Sequence, residues 1–119
     1  MSKVTTERRA HARYPRRLEL ESTLPAEGKV ARMVANNLSL GGLYCTSPVG
    51  YDEMTRLGVR LMLPSENAPG TTDPLDIEAV VVRRRELASS TDGPRYELAL
   101  FFPAITEGQR RRLERYLSS

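Results

Sequence analysis

The sequence has no tryptophan, one cysteine, one histidine and two phenylalanines among its 119 residues. A single cysteine, Cys45, excludes an internal disulfide. With His11 as its only partner of comparable softness, it also excludes a zinc cage built from protein ligands alone. No stretch approaches the roughly 18 consecutive apolar residues of a membrane-spanning helix. The opening residues, Met1 to Arg9, lack the apolar core of a secretory signal, so the expected compartment is the cytoplasm. Catalytic constellations are equally scarce. There is no second histidine, no acid pair at a plausible spacing and no G-x-x-x-x-G-K phosphate loop. Neither an enzyme nor a resident cofactor is expected.

What is present is a lopsided charge. The formal net charge is +3, but it is unevenly spread. Residues 1–17 hold Lys3, Arg8, Arg9, Arg13, Arg16 and Arg17 against Glu7 alone, while the remainder is slightly acidic. A basic arm of this kind meets a nucleic acid, an anionic membrane or a phosphate-bearing ligand, or else serves as a solvated leader.

Beyond the arm, the chain reads as short strands with period-two alternation, interrupted by Gly, Pro and Asp. Leu18 to Glu21 alternates apolar and acidic residues, and Pro25 with Gly28 ends that strand. A second strand runs from Lys29 to Asn36, and Asn37 to Gly42 forms a turn with Gly41 and Gly42 supplying positive φ. Leu43 to Thr46 is a third strand, and Leu57 to Leu63 a fourth. Pro64 to Pro74 is a loop. Leu75, Ile77, Ala79 and Val81 form one face of a long fifth strand. A turn at Ser89 to Pro94 leads into a sixth, from Tyr96 to Phe102. Six such strands predict a six-stranded antiparallel β-barrel, which leaves no exposed edge. Thr106 and Gln109 form a capping box ahead of a helix over residues 106–118, with Leu113, Tyr116 and Leu117 on its apolar face. The expected organisation is a single domain over 1–119, with a basic arm (1–17), a barrel (18–103) and a C-terminal helix.

Two short motifs remain. Arg9-Ala10-His11-Ala12-Arg13 is an R-x-x-x-R pattern preceded by Arg8. Asn37-Leu38-Ser39-Leu40-Gly41-Gly42 is an N-x-S-x-x-G pattern at a strand junction. Alone, the first reads as a solvated basic stretch and the second as a hairpin turn. Together, with Glu7-Arg8-Arg9 before the first motif and Tyr14-Pro15 after it, they resemble the PilZ domain family, over nearly the whole chain.

That resemblance implies a receptor for cyclic di-GMP, a ring of two guanosines joined by two phosphates. Arg9 and Arg13 would offer forked, charge-assisted hydrogen bonds to the phosphates or to guanine O6 and N7. Asn37 would accept from guanine N1–H and N2, and Ser39 would donate to a phosphate or accept from a base. Gly41 and Gly42 would let the backbone approach the ligand closely. An arginine at the position of Arg8 goes with a stacked pair of ligand molecules in this family. Arg83, at the end of the face made by Ile77, Ala79 and Val81, lies beside the ligand or is simply a solvated strand end. One departure stands out: many members carry a glycine-rich last strand, where this chain has Tyr96-Glu97-Leu98-Ala99-Leu100-Phe101-Phe102.

The expected partners are cyclic di-GMP and a protein that reads the ligand-ordered arm. A PilZ adaptor that binds only proteins is the alternative, disfavoured because the arginine motif is present. Nucleic acid is not an expected partner, because the helix arginines spread over several faces and the barrel shows no aromatic stacking platform.

Overall fold

Period-two alternation gives each strand one apolar face, and closing six strands on themselves buries all six faces together. The computed structural model describes residues 17–25 and 27–118. Its strands are β1 (Leu18–Leu24), β2 (Lys29–Leu38), β3 (Gly42–Ser47), β4 (Arg56–Leu61), β5 (Leu75–Ser90) and β6 (Gly93–Phe101), followed by helix α1 (Glu107–Ser118). They form a closed barrel in the order β1-β2-β3-β6-β5-β4, with every pairing antiparallel. The expected fold is the observed one.

The alternation is visible strand by strand. Leu18 and Leu20 point into the barrel while Glu19 and Glu21 lie outside or at its margin. Leu57, Val59 and Leu61 fill the interior from β4, facing Ile77, Ala79 and Val81 of β5. Ser22 is also buried, and its hydroxyl lies 3.3 Å from the Tyr51 hydroxyl, which satisfies it. Cys45 is enclosed beside Met33, with Sγ 3.7 Å from Sδ. Burial, with a smaller contribution from Glu97, pushes its thiol pKa up to about 12, so it is an inert core residue. On the outer face Arg60 forks onto Asp76 at 2.8 and 3.2 Å, and this pairing holds the Asp76 carboxyl below its ordinary value.

β1 ends at Leu24, just ahead of Pro25 as expected, and β2 pairs with it along its whole length. Several other boundaries differ from the sequence reading. The expected Asn37–Gly42 turn is shorter, since β2 extends through Leu38 and β3 begins at Gly42. β5 does not end near Arg83. It continues to Ser90, opposite β6, and Thr91 and Asp92 close the hairpin.

Helix α1 starts with the anticipated box. The Gln109 amide N–H donates to Thr106 Oγ1 at 3.1 Å, and the Thr106 N–H donates to Gln109 Oε1 at 2.8 Å. Leu113 and Leu117 enter the barrel's own core, each contributing roughly 1.5–3 kcal/mol of burial. Arg112, only 14% exposed, anchors the Pro64–Pro74 loop. Its guanidinium donates to the Asp73 carbonyl at 2.9 Å and to the Pro64 carbonyl at 3.4 Å, and it pairs with the Asp73 carboxylate at 3.4 Å. Arg112→Ala is expected to cost about 1–3 kcal/mol, because two loop carbonyls lose a charged donor. Hydrogen exchange would read this as faster exchange at the Asp73 amide, which donates to the Leu63 carbonyl. Unchanged protection at that amide would refute the anchoring role.

Candidate ligand-binding site

Two one-residue irregularities shape the outer wall. On β2, Ala35 pairs with Cys45 but Asn37 pairs with Tyr44, so Asn36 is an extra residue, a β-bulge. On β5, Val81 pairs with Leu100 but Arg83 pairs with Ala99, so Val82 is extra in the same way. The consequence follows from the period of two. Met33 and Ala35 point inward, and without the bulge Asn37 would follow them into the core. Ile77, Ala79 and Val81 point inward, and Arg83 would do the same. Each bulge shifts the phase by one residue and turns the polar side chain outward.

The two reoriented residues belong to one row. Asn37 faces Tyr44 on β3, Tyr44 faces Ala99 on β6, and Ala99 faces Arg83 on β5. Three strand spacings separate the ends, about 14 Å at ~4.8 Å per step. The sequence reading placed Arg83 at the end of the face made by Ile77, Ala79 and Val81, beside the ligand or as a solvated strand end; the Val82 bulge turns it to the outer face, on the row that holds Asn37. Its neighbours in the arginine run are occupied: Arg84 pairs with Asp52 and lies over the Tyr96 ring, and Arg85 pairs with Glu97. Arg83 itself is exposed and, among the described residues, has no ion-pair partner. Tyr44, half-buried in the middle of the row, was missed by sequence reasoning, which found no aromatic platform on the barrel. The signal available was its outward phase between Leu43 and Cys45.

The turn beside this row is fastened by Ser39. Its hydroxyl is buried, accepts the Gly41 N–H at 3.1 Å and donates to the Gly42 carbonyl at 3.2 Å. The Ser39 N–H also reaches the Gly42 carbonyl, at 2.9 Å. The hydroxyl proton expected to meet a ligand is therefore engaged within the turn. Gly41 is not among the described residues with positive φ, contrary to the hairpin expectation. Its carbonyl instead accepts the Phe102 N–H at 3.0 Å, tying the turn to the end of β6. Gly42 is required by close approach: a Cβ there would run into the Leu100 carbonyl oxygen of β6 and lie 3.1 Å from the Phe101 Cα.

Arg8, Arg9, Arg13 and His11 lie outside the described residues. The root of their arm does not. Leu18 pairs with Ala35, which brings Arg17 to the bulge at Asn36. Arg17 and Asn36 line one groove of about 500 Å³, together with Glu19, Val34, Thr46 and Arg95. The bulge is thus the shared edge of that groove and the Asn37–Arg83 row.

Comparison with known proteins bears on what this wall belongs to. A family model for the PilZ domain matches residues 7–119, a span that takes in both motifs, the barrel and the helix. The chain belongs to the PilZ domain family. No curated protein sequence matches it. Among solved structures, this PilZ domain superposes on the PilZ domain of YcgR from Escherichia coli, solved with c-di-GMP, at a TM-score of 0.70 and 17% identity. That match covers 93% of this chain and 90% of the other. The Bacillus subtilis inhibitor of motility, MotI, gives a TM-score of 0.68 at 21% identity, covering 93% of this chain but 50% of MotI. PlzA of Borreliella burgdorferi, in complex with c-di-GMP, gives 0.59 at 11% identity, covering 98% of this chain and 55% of PlzA. At these identities the likeness carries the fold. The chain spans about half the length of the two longer relatives.

Proposed function

We propose that this PilZ domain is a cytoplasmic, non-enzymatic receptor for cyclic di-GMP. Ligand would be held between the basic arm and the outer wall at the Asn36–Asn37 bulge, and the ordered arm would present a changed surface to a protein partner. One observation carries this reading: the pairing of Leu18 with Ala35 roots the arm beside the N-x-S-x-x-G turn. Arg13 is four residues from Arg17 and Arg9 is eight, so extended backbone allows reaches of about 14 and 28 Å. Both arginines can therefore span the row from Asn37 to Arg83. The E. coli YcgR and B. burgdorferi PlzA structures containing c-di-GMP support the ligand's identity.

The parts divide by chemistry. Arg9 and Arg13 neutralise the two phosphates and bring forked donors. Asn37, turned outward by its bulge, offers a carbonyl acceptor to guanine N1–H and N2. Ser39, engaged with Gly41 and Gly42, serves the ligand indirectly by shaping the turn. Gly41 and Gly42 keep that turn flat against β6. Arg83 closes the far end of the row with a donor fork.

Titration calorimetry with cyclic di-GMP on the whole chain tests this directly. Saturable binding is expected, with two ligands per chain if Arg8 supports a stacked pair, falling to one in Arg8→Ala. Absence of any heat or displacement at high ligand concentration would refute the receptor reading. Binding that vanishes steeply with salt and is matched by generic RNA would assign the arm to nucleic acid instead.

A further inference from the structure

Across the barrel from β3 and β6, the outer face of β1 and β4 carries a second pattern. Glu21 on β1 is opposed by Arg32 on β2 and by Arg60 on β4, and Arg60 is opposed by Asp76 on β5. The row Arg32–Glu21–Arg60–Asp76 therefore alternates plus, minus, plus, minus over about 14 Å, three strand spacings. Within the chain only the Arg60–Asp76 end is bridged; among the described residues neither Arg32 nor Glu21 enters a salt bridge. Arg60 and Asp76 themselves remain 53% and 67% exposed, so their outward edges are open to a partner.

The next row along the strands is low. Val30 is opposed by Thr23, Thr23 by Gly58 and Gly58 by Glu78. A groove of about 540 Å³ lies over this row. Gly58 is not demanded by the fold. It is not among the described residues with positive φ, the register is unbroken on both sides of it, and a Cβ there would meet the Thr23 carbonyl oxygen at an ordinary 3.9 Å. Glycine weakens a strand interior, and where no bulge or bend requires it, it marks a close approach by another body.

We propose that this face is a self-association surface whose occupant is a second copy of this chain. A two-fold contact sets a surface against itself, so the surface must be self-complementary. A two-fold axis along the strands, between β1 and β4, lays the charged row against its own reverse. Glu21 then meets Arg60 of the second copy, and Arg32 meets Asp76 of the second copy, each contact made twice. A row of one sign, or one ordered plus, minus, minus, plus, would repel its own reverse. The same operation brings each Thr23 over the other copy's Gly58, so a side chain on one wall drops into the gap in the other. Val30, 60% exposed, gains cover from the stem of the other copy's Glu78. The wall of a barrel is convex, and a patch of about 14 Å by 14 Å falls well short of the roughly 800 Å² per partner of a stable complex. The dimer is therefore reversible and populated at high chain concentration. It leaves the Asn37–Arg83 row of each copy facing away, so self-association does not compete with a ligand there.

Sedimentation velocity of the whole chain over about 0.01–1 mM, without ligand, is expected to show a reversible dimer with a Kd of about 0.1–1 mM. Glu21→Arg and Arg60→Glu each set like charges face to face and are expected to raise that Kd about 10-fold or more. An equimolar mixture of the two variants is expected to dimerise again, because both positions are then basic on one chain and acidic on the other. Rescue in trans separates an interface from a cross-strand charge ladder that only stabilises the barrel, which mixing cannot restore. Gly58→Leu fills the gap without altering charge and is expected to match the loss, with thermal melts as the check on folding. A parent that stays monomeric throughout overturns the assignment, as do folded Glu21→Arg, Arg60→Glu or Gly58→Leu chains that self-associate like the parent. A mixture that stays monomeric while the parent dimerises also overturns it, by moving the contact to another face.

Discussion

Replacing Arg9 or Arg13 with alanine is expected to weaken cyclic di-GMP binding about 100-fold or more, with little change in melting temperature. Each arginine brings a forked donor to a phosphate or a guanine edge, and charge-assisted hydrogen bonds are worth about 1.5–3 kcal/mol apiece. Two such bonds lost per side chain account for the size of the effect. The barrel should not respond, because the described core is built from residues 18–117 and includes neither arginine. Arg9→Lys separates charge from geometry. It keeps the cation but loses the fork, so an intermediate loss is expected. Calorimetry that found undiminished affinity in either alanine variant would remove the arm from the site.

The second large effect concerns stability. Gly42→Ala is expected to destabilise the domain by about 3 kcal/mol or more, since the added Cβ must displace the backbone of β6. In a domain of this size that corresponds to a fall in melting temperature of roughly 10 °C. The obstruction is the Leu100 carbonyl, which belongs to the ladder joining β3 to β6, so no side-chain rotation can relieve it. Gly58→Ala provides the control within the same barrel. A Cβ there would meet only the Thr23 carbonyl oxygen, at an ordinary 3.9 Å. A Gly42→Ala protein that melts with the parent would show that the β3–β6 ladder is looser than its geometry indicates. If it folds but binds ligand weakly, the turn has shifted without the barrel failing.

The two predictions separate the roles of the two motifs. The arm is expected to govern affinity and leave folding alone. The turn is expected to govern both, because Ser39 and Gly42 are structural members of the β2–β3–β6 wall before any ligand is considered. Ser39 illustrates the point. Read as a ligand contact, it has a hydroxyl with one proton; in the folded chain that proton goes to the Gly42 carbonyl. Its value to a ligand is indirect, through the shape it imposes on Gly41 and Gly42.

Much of this protein was legible without coordinates. Alternation of apolar and polar residues specified six strands and which face of each is buried, because burial repeats with the pleat. The Thr106–Gln109 box located the helix start, because the two hydrogen bonds it makes are local. The pair of motifs pointed to the family. What the sequence could not carry was the register of non-adjacent strands. Bulges at Asn36 and Val82 arise where one strand has a residue more than its neighbour needs, and that neighbour is supplied from elsewhere in the chain. Only the closed barrel decided that Asn37 and Arg83 turn outward, that they share a row with Tyr44 and Ala99, and that the arm is rooted beside them. Gly42 follows the same rule. A glycine after a turn suggests a local conformational need, whereas here it is the carbonyl of Leu100, nearly sixty residues away in sequence, that leaves no room for a side chain.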